Sequence, residues 1–448
     1  MSKQQDSENS LQLGIIHPKS AGIDVGSMNM FVSYINTGGK SMVKEFGAYT
    51  EDLENLSAEL LLNGITHVAM EATGVYWMAI YELLEQAGIA VTLVNARHYK
   101  NVAGQKTDVK DCQWLHQLHA HGLLRSSHIA TDQYRELRMY IHERSLLLKS
   151  KSDTLNRIQK VLSQMNVKVQ HIISDMEGVI GMQILERIAS GCSDPESILS
   201  GIKLNRLKAS KEVLSQSLKG NYKPHYLAIL RNHLAGYNFY KQQMLVFEKY
   251  IEMLLAKLLP AQVPLEPIKK KTTKSRKGQY HFNVREYLHR LVGVDLTEID
   301  GLDENTILTI LSVVGLDMDK WPTADHFASW LNLAARPSIS GGKIIGSKKR
   351  FTNNVATQAF RIGAQTMWQQ KGTLGHLYRR LAHTKGAQKA IKAVARRLAI
   401  IFYTMVKKKT AYDPKQVVLN EERIRARKLA RLQKEAEQLG CRVEMLTY

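Results

Sequence analysis

The stretch from Ala21 to Ile35, AGIDVGSMNMFVSYI, constrains the fold more than any other part of the chain. Its apolar residues predict a buried strand, a turn at Gly26 and Ser27, and a second strand that pairs with the first. Asp24 interrupts the apolar run of the first strand, and an unpaired buried carboxylate is costly. We therefore expect Asp24 to have a counter-ion, and a divalent metal ion is the natural one in this setting.

Strand and helix patterns alternate in the residues that follow, up to residue 94. The predicted strands are 28–35, 42–48, 65–71 and 89–94, and the predicted helices are 50–63 and 76–86. Thr50 is the expected N-cap of the first helix, because acidic residues follow it in the first turn. Three antiparallel strands followed by parallel crossovers define an α/β domain, which we place at residues 15–130.

Three further carboxylates can join Asp24 at one site. Glu71 ends a predicted strand, where ligands bind in open α/β sheets. Asp108 and Asp111 are spaced i, i+3 at a helix start, so both project from one face. Such a set of hard oxygen ligands suits Mg²⁺ or Mn²⁺. The alternatives are helix-capping roles for Asp108 and Asp111, an exposed strand-end position for Glu71, and a structural role for Asp24.

The polar residues around Asp108 and Asp111 carry two further expectations. Lys106 is a candidate phosphate contact, although exposure to solvent explains it equally well. The histidines that follow on the same helix lack a third metal ligand, so we expect a solvated helix face; they are His116, His119 and His121.

The charge of the chain indicates its partners. The 448 residues carry 62 Lys and Arg against 41 Asp and Glu, a formal net charge of +21. Nucleic acid is the commonest polyanion that such a protein meets, ahead of a ribosome-like role or a membrane surface. The three cysteines are widely spaced and predict neither disulfides nor a zinc site, which fits a reducing, cytoplasmic compartment. The polar N-terminus lacks a signal-peptide core, and no apolar run is long enough to span a membrane.

The middle of the chain, residues 131–260, is predicted to be helical. Apolar residues recur every seven positions in a helix that begins near Asp132 and in a second helix over 224–259. Arg144 and Lys151 interrupt the first repeat, which predicts a seam that is half coiled coil and half basic surface. The two helices can pair within one chain or between chains, and an ordinary helical domain is the alternative to a coiled coil that mediates assembly. A basic linker over 261–285 follows.

The last part of the chain is predicted to form a helical domain over 286–410 and a charged helix or tail over 411–448. A turn at Asp300 and Gly301 before an apolar helix, predicted over 304–314, resembles a helix-hairpin-helix segment, whose backbone amides can hold a DNA phosphate. Further helices are expected at 360–369 and 386–406. The basic residues that can contact nucleic acid here are Lys343, Lys348, Lys349, Arg350, Lys389 and Arg396.

The sequence Ser338-Ile339-Ser340-Gly341-Gly342-Lys343 places a hydroxyl beside flexible backbone and a cation. It is compatible with a phosphate-binding loop, with a nucleophile on a mobile strand, or with an ordinary loop. The missing first half of a Walker pattern argues against a nucleotide hydrolase.

Four motifs in this order resemble the bridge-RNA-guided DEDD/serine transposases of bacterial insertion sequences. They are GIDVGSMNM with Asp24, VAMEATGVYW with Glu71, KTDVKDCQWL with Asp108 and Asp111, and ISGGK with Ser340. The resemblance covers residues 15–410. It implies an N-terminal RNase H-like domain of the Holliday-junction-resolvase type, a coiled-coil segment and a C-terminal helical domain that bears a serine nucleophile.

The resemblance also implies roles and partners. The four carboxylates bind Mg²⁺, and the serine forms a covalent link to a DNA 5′-phosphate. Ser340 is favoured over Ser338 by its place before the two glycines, although local sequence leaves that choice open. The acidic site of one subunit joins the serine of another in a tetramer, and a noncoding bridge RNA pairs with donor and target DNA. The implied location is cytoplasmic and nucleoid-associated.

Three other functions compete with this interpretation. An actin-like ATPase requires a second Asp-Gly hairpin and an adenosine-binding segment, which the sequence does not offer. A non-catalytic nucleic-acid scaffold would bind with a steep salt dependence but cut nothing. A junction resolvase would use the acidic residues alone, and Ser340 would then be dispensable.

Overall fold

The computed structural model describes residues 14–72, 74–95, 108–124, 126–205, 207–260, 268, 278–334, 337–347, 354–413, 429–430, 432–433 and 435–441. The chain divides into two compact units, residues 1–129 and residues 130–448. The boundaries at 260, 285 and 410 remain predictions. No helix in the described ranges combines the length and apolar character that crossing a membrane requires.

The first unit is a mixed sheet with helices. Its strands are β1 (Ser20–Val25), β2 (Asn29–Ile35), β3 (Ser41–Gly47), β4 (His67–Glu71) and β5 (Ala90–Val94). Its helices are α1 (Thr50–Leu62), α2 (Trp77–Gln86) and α3 (Asp108–Ala120). The strand order is β3-β2-β1-β4-β5, in which β1 pairs antiparallel with β2 and parallel with β4.

The prediction of an α/β domain is confirmed, with the strand and helix ends within two residues of the expected ones. The apolar faces that the sequence indicated are buried, including Ile23, Val32 and Met70, none of which is exposed to solvent. The N-cap of α1 is Tyr49 rather than Thr50. The Asp52 carboxylate accepts a hydrogen bond from the Tyr49 backbone N–H at 3.2 Å, which closes this helix end.

The second unit is built on two long helices, α4 (Asp132–Gln164) and α9 (Pro224–Leu258). They pair within the chain and run antiparallel, because the beginning of α4 shares a core with the end of α9 and the end of α4 shares a second core with the beginning of α9. The heptad positions of α9 are buried as the repeat predicted: Leu230, Tyr237, Met244 and Ile251.

Arg144 and Lys151 do not form a basic surface, and that prediction is wrong. Both side chains are buried between the helices. Arg144 Nη2 lies 2.6 Å from Glu248 Oε1, and Lys151 Nζ lies 2.8 Å from Glu177 Oε1. The two interruptions of the heptad are therefore paired charges inside the helical hairpin, where burial without a partner would be costly.

The region around 175–219, to which the sequence assigned no role, closes one end of the helical hairpin. Its short helices are α5 (Val169–Ile172), α6 (Val179–Ser190), α7 (Pro195–Leu199) and α8 (Lys211–Ser217). Their buried apolar residues form one core with Leu162 of α4 and Leu230 of α9.

The remaining helices pack around a second core at the other end of the helical hairpin. They are α10 (Val284–Val292), α11 (Glu304–Val314), α12 (Ala324–Trp330), α13 (Val355–Gln365), α14 (Thr373–Lys385) and α15 (Ala387–Lys408). Phe327, Phe360 and Phe402 meet in this core. The sequence located α11 and α15 well, placed α13 about five residues late, and gave no prediction of α14.

The glycine of the helix-hairpin-helix-like turn has a packing role. A Cβ at Gly301 would lie 2.7 Å from the carbonyl oxygen of Gly363 on α13, so the turn is pressed against that helix. At the start of α11, the Asp303 carboxylate accepts a hydrogen bond from the Thr306 N–H at 2.9 Å. A protein carboxylate thus caps the helix N-terminus at which the sequence predicts a DNA phosphate. Phosphate binding at this end remains a prediction.

Candidate active site

Two of the predicted carboxylates lie at neighbouring strand ends. The parallel register of β1 and β4 pairs Ile23 with Met70, so Asp24 and Glu71 are the next residues along each strand. Glu71 is buried, with 6% of its surface exposed, and Asp24 is partly buried. Both carboxylates therefore stand at the carboxyl edge of the central strands, as the sequence predicted.

Helix α3 brings the other two carboxylates toward the same edge. A Cβ at Gly22 would lie 2.4 Å from the backbone nitrogen of His116 and 2.5 Å from the carbonyl oxygen of Cys112, so the helix packs directly on β1. At its far end the Ala120 carbonyl accepts a hydrogen bond from the Ile16 N–H at 2.8 Å, just before β1 begins. The helix therefore runs opposite to β1, and its first turn, with Asp108 and Asp111, points to the strand end that bears Asp24.

The pKa of the Cys112 thiol reflects the nearby negative charges of Asp24 and Asp111. Burial, followed by the negative charge of Asp24, raises the pKa of Cys112 to about 12, and Asp111 acts in the same direction. Two of the four carboxylates thus act on one buried thiol of α3. The thiol therefore stays protonated at neutral pH. The negatively charged ligand atoms available to a metal ion at this site are then the carboxylate oxygens.

The chemistry of this donor set fits Mg²⁺, which prefers oxygen ligands and binds through few carboxylates. The four side chains approach one edge from three elements. Among the described residues, however, no three His, Cys, Asp or Glu side chains form a group that could hold a metal ion. The carboxylates are therefore neighbours in the fold without a closed coordination shell.

The prediction of a solvated histidine face on α3 is wrong for His116 and His119, whereas His121 is partly exposed. His116 and His119 are buried, with 7% and 3% of their surface exposed. His116 Nδ1 lies 3.3 Å from Ser33 Oγ, and the His119 ring stacks on His17 with centroids 4.8 Å apart. Burial lowers the pKa of His119 to about 4, so this ring is neutral and belongs to the packing of α3 on the sheet.

The serine motif forms a small hairpin of β6 (Pro337–Ser340) and β7 (Lys343–Ser347). Ser340 pairs with Lys343 across a two-residue turn, and both are exposed. Gly341 and Gly342 have φ of +52° and +75°, the left-handed pair that a tight type I′ hairpin turn requires. Ser338 is partly buried, and a register shift separates it from Ile339. The sequence indicated the turn glycines but not the strand pairing.

The basic candidates have different surroundings. Lys343 and Lys389 are exposed, whereas Arg396 is partly buried and its Nη2 lies 2.8 Å from Asp325 Oδ1. The remaining four lie outside the described residues: Lys106, Lys348, Lys349 and Arg350.

Sequence reasoning missed the positioning role of Gly22. A lone glycine inside a strand is a known signal of close backbone approach, and here it admits α3. Cys112 was counted only as a non-disulfide cysteine, and its place beside the acidic residues follows from the helix packing alone.

Comparisons with known protein families match two parts of the chain. A family model for DEDD transposases of the IS110 type, described as a transposase, matches residues 21–167. A second model, described as transposase of the IS116/IS110/IS902 family, matches residues 295–378. A search of curated proteins finds no match. The two matches cover slightly more than half of the chain, with the carboxylates in one and Ser340 in the other, and the protein belongs to the IS110 family of DNA transposases.

Proposed function

We propose that this transposase cuts and rejoins DNA through Ser340, assisted by a Mg²⁺ or Mn²⁺ site built from Asp24, Glu71, Asp108 and Asp111. The observation that carries the proposal is the approach of the four carboxylates to one sheet edge. The strand order β3-β2-β1-β4-β5 also supports an RNase H-like fold for this unit.

The surroundings of Ser340 support its role as the nucleophile. Its side chain is exposed beside the turn, and Lys343 stands across the hairpin. A serine hydroxyl is a weak nucleophile until a neighbouring group accepts its proton. Residues 326–412 contain neither Asp nor Glu, so a carboxylate that activates Ser340 has to come from another part of this chain or from a second copy.

The proposed reaction conserves the energy of the phosphodiester bond. The Ser340 Oγ attacks the phosphorus, loses its proton, and forms a phosphoserine ester as the DNA 3′ oxygen leaves. That oxygen takes up a proton, and a 3′-hydroxyl of the exchanged strand later reverses the step. A bound divalent ion would polarise the phosphate and stabilise the developing charge. Lys343 would contribute a positive charge at the same phosphate.

The assembly is proposed to include more than one chain and an RNA. The net charge of +21 supports binding to nucleic acid and is compatible with RNA as well as DNA. We infer a homo-oligomer, up to a tetramer, in which the serine of one subunit meets the acidic site of another, and a noncoding bridge RNA that selects donor and target.

The direct test is recombination of labelled donor and target DNA in the presence of the matched RNA and Mg²⁺. Asp24→Asn and Ser340→Ala are each expected to lower product formation by at least a thousandfold. The wild-type reaction, quenched with detergent, is expected to contain a covalent protein–DNA adduct, whose modified residue mass spectrometry identifies as Ser340.

Two variants serve as matched controls. Ser338→Ala removes the neighbouring hydroxyl, and Glu51→Gln removes an exposed carboxylate on α1; both should recombine DNA at the wild-type rate. Full activity of Ser340→Ala would overturn the nucleophile and favour a junction resolvase that uses the carboxylates alone. An adduct on Ser338 would move the role to that residue.

A further inference from the structure

The positive charge of the chain is concentrated in one segment. Residues 326–412 carry seventeen Lys and Arg and no Asp or Glu, so this segment accounts for seventeen of the formal +21. The segment includes the Ser340 hairpin and helices α13 to α15. Carboxylates from outside the segment pair with two of its cations, Asp325 with Arg396 and Asp319 with Lys407. The segment as a whole still carries a large excess of positive charge, which is complementary to a polyanion and unfavourable for another cationic protein.

The outer face of α13 and of the 3₁₀ turn that follows it, Thr366–Trp368, adds an apolar element to this charge. Arg361, Gln365 and Trp368 follow one another at i, i+4 and i+7, and all three are exposed. Trp368 has 59% of its surface exposed. A single exposed apolar side chain is common on protein surfaces, but an exposed aromatic ring among cations is the combination that single-strand-binding surfaces use.

The backbone that carries Trp368 is held in place. The Arg379 guanidinium on α14 donates from Nη1 to the Trp368 carbonyl oxygen at 3.1 Å and to the Gln370 carbonyl oxygen at 2.7 Å. The preceding residue, Met367, is fully buried in the core. The protein therefore fixes the main chain of this loop while its indole ring faces solvent.

We propose that Trp368 is a stacking platform for an unpaired base of the DNA substrate, with Arg361 and Lys371 contacting the flanking phosphates. Aromatic rings stack on bases of any sequence, and cations beside them hold the backbone of a single strand. An unpaired base fits an exposed ring better than duplex DNA does, because the faces of paired bases are covered by their neighbours. The proposal needs the DNA substrate of a transposase but none of the chemistry proposed for Ser340.

The test measures DNA binding without catalysis. All variants are made in the Ser340→Ala protein, without added metal, and titrated with a fluorescent twelve-nucleotide oligothymidine and with a duplex of the same length. Trp368→Ala is expected to weaken binding of the single strand about tenfold or more, as the loss of one stacked base does. Its affinity for the duplex should change less than twofold. Trp368→Phe keeps an aromatic face and should stay within threefold of the parent protein.

Phe239 on α9 provides the matched control, because 58% of its surface is exposed outside the acid-free segment. Phe239→Ala should bind both probes like the parent. The salt dependence separates stacking from charge: Lys371→Ala should reduce the slope of log K against log salt by about 0.7, as loss of one phosphate contact on a single strand does, and Trp368→Ala should leave it unchanged.

Several results would overturn the proposal. Unchanged single-strand affinity in Trp368→Ala would remove the stacking role. Equal weakening for both probes, or a comparable loss in Phe239→Ala, would show a general effect on the protein surface. The binding measurements do not depend on the role of Ser340. Evidence that Ser340 is not the nucleophile would therefore leave the stacking proposal standing, and the reverse also holds.

Discussion

At the scale of single residues, the buried charges inside the helical hairpin are stable only because each has a partner of opposite charge. Glu248 has 2% of its surface exposed. Its carboxylate accepts hydrogen bonds from Arg144 Nε at 2.7 Å and from the His281 N–H at 3.0 Å. The Arg144 guanidinium also lies 3.7 Å from the centre of the Tyr280 ring. This network ties residues 278–282, which lie within the predicted basic linker, to both long helices.

Glu248→Ala is expected to destabilise the second unit by about 3–5 kcal/mol, because it leaves the buried Arg144 charge without its carboxylate. The measurement is the urea midpoint of the helical signal in circular dichroism. Glu196→Ala, which breaks the exposed pair with Lys211, should barely move that midpoint. An unchanged urea midpoint for Glu248→Ala, compared with the wild type, would show that the Arg144 charge is solvated.

These residues also mark what the sequence could not predict. The heptad spacing located Arg144 and Lys151 on the inner row of α4, but it did not supply their partners. Glu248 is 104 positions from Arg144 in the chain, and only the antiparallel pairing of α4 with α9 brings them together. Isolated cations in an apolar repeat were therefore assigned to the surface, where unpaired charges usually lie.

At the scale of elements, the contact between α3 and β1 sets the geometry of the candidate site. The strands were predictable because their apolar runs and turn glycines are local signals. The same holds for Asp24 and Glu71, whose place at strand ends follows from the strand bounds. The packing of α3 was not predictable, since it depends on the absence of a side chain at Gly22 and on the burial of His116 and His119.

Gly22→Val is expected to push α3 away from β1, because the new side chain meets backbone atoms of His116 and Cys112 that cannot rotate aside. Asp108 and Asp111 would move with the helix, so recombination should fall at least a hundredfold. The thermal unfolding temperature of the first unit should fall as well. Gly14→Ala is the control, because nothing lies within 4 Å of the added Cβ. Recombination at the wild-type rate by Gly22→Val would show that the position of α3 does not matter for the reaction.

At the scale of the whole molecule, the two units differ in the sign of their charge. Residues 1–129 carry nine Lys and Arg against thirteen Asp and Glu, whereas residues 130–448 carry fifty-three against twenty-eight. Composition alone gives only the net charge of the whole chain. The division of the chain instead places the excess positive charge in the helical unit and leaves the unit with the candidate metal ligands slightly acidic.

Separate expression of the two units tests this division. Residues 130–448 are expected to bind heparin and to require salt concentrations at least as high as the full chain for elution, because non-specific binding follows the number of ionic contacts. Residues 1–129 should pass through the same column. Retention of the first unit would show that local clusters, rather than net charge, govern binding.

The Ser340 hairpin has a consequence for the control of the enzyme. Among the described residues, no atom beyond the chain neighbours lies within 4 Å of a Cβ built at Gly341 or Gly342, so this part of the chain does not enclose the tip. The described residues therefore leave the hydroxyl open to a nucleic acid strand, and in the reaction proposed for Ser340 the hairpin by itself would select few sequences. The choice of the cleavage site would then depend on whatever aligns the strands before they reach Ser340.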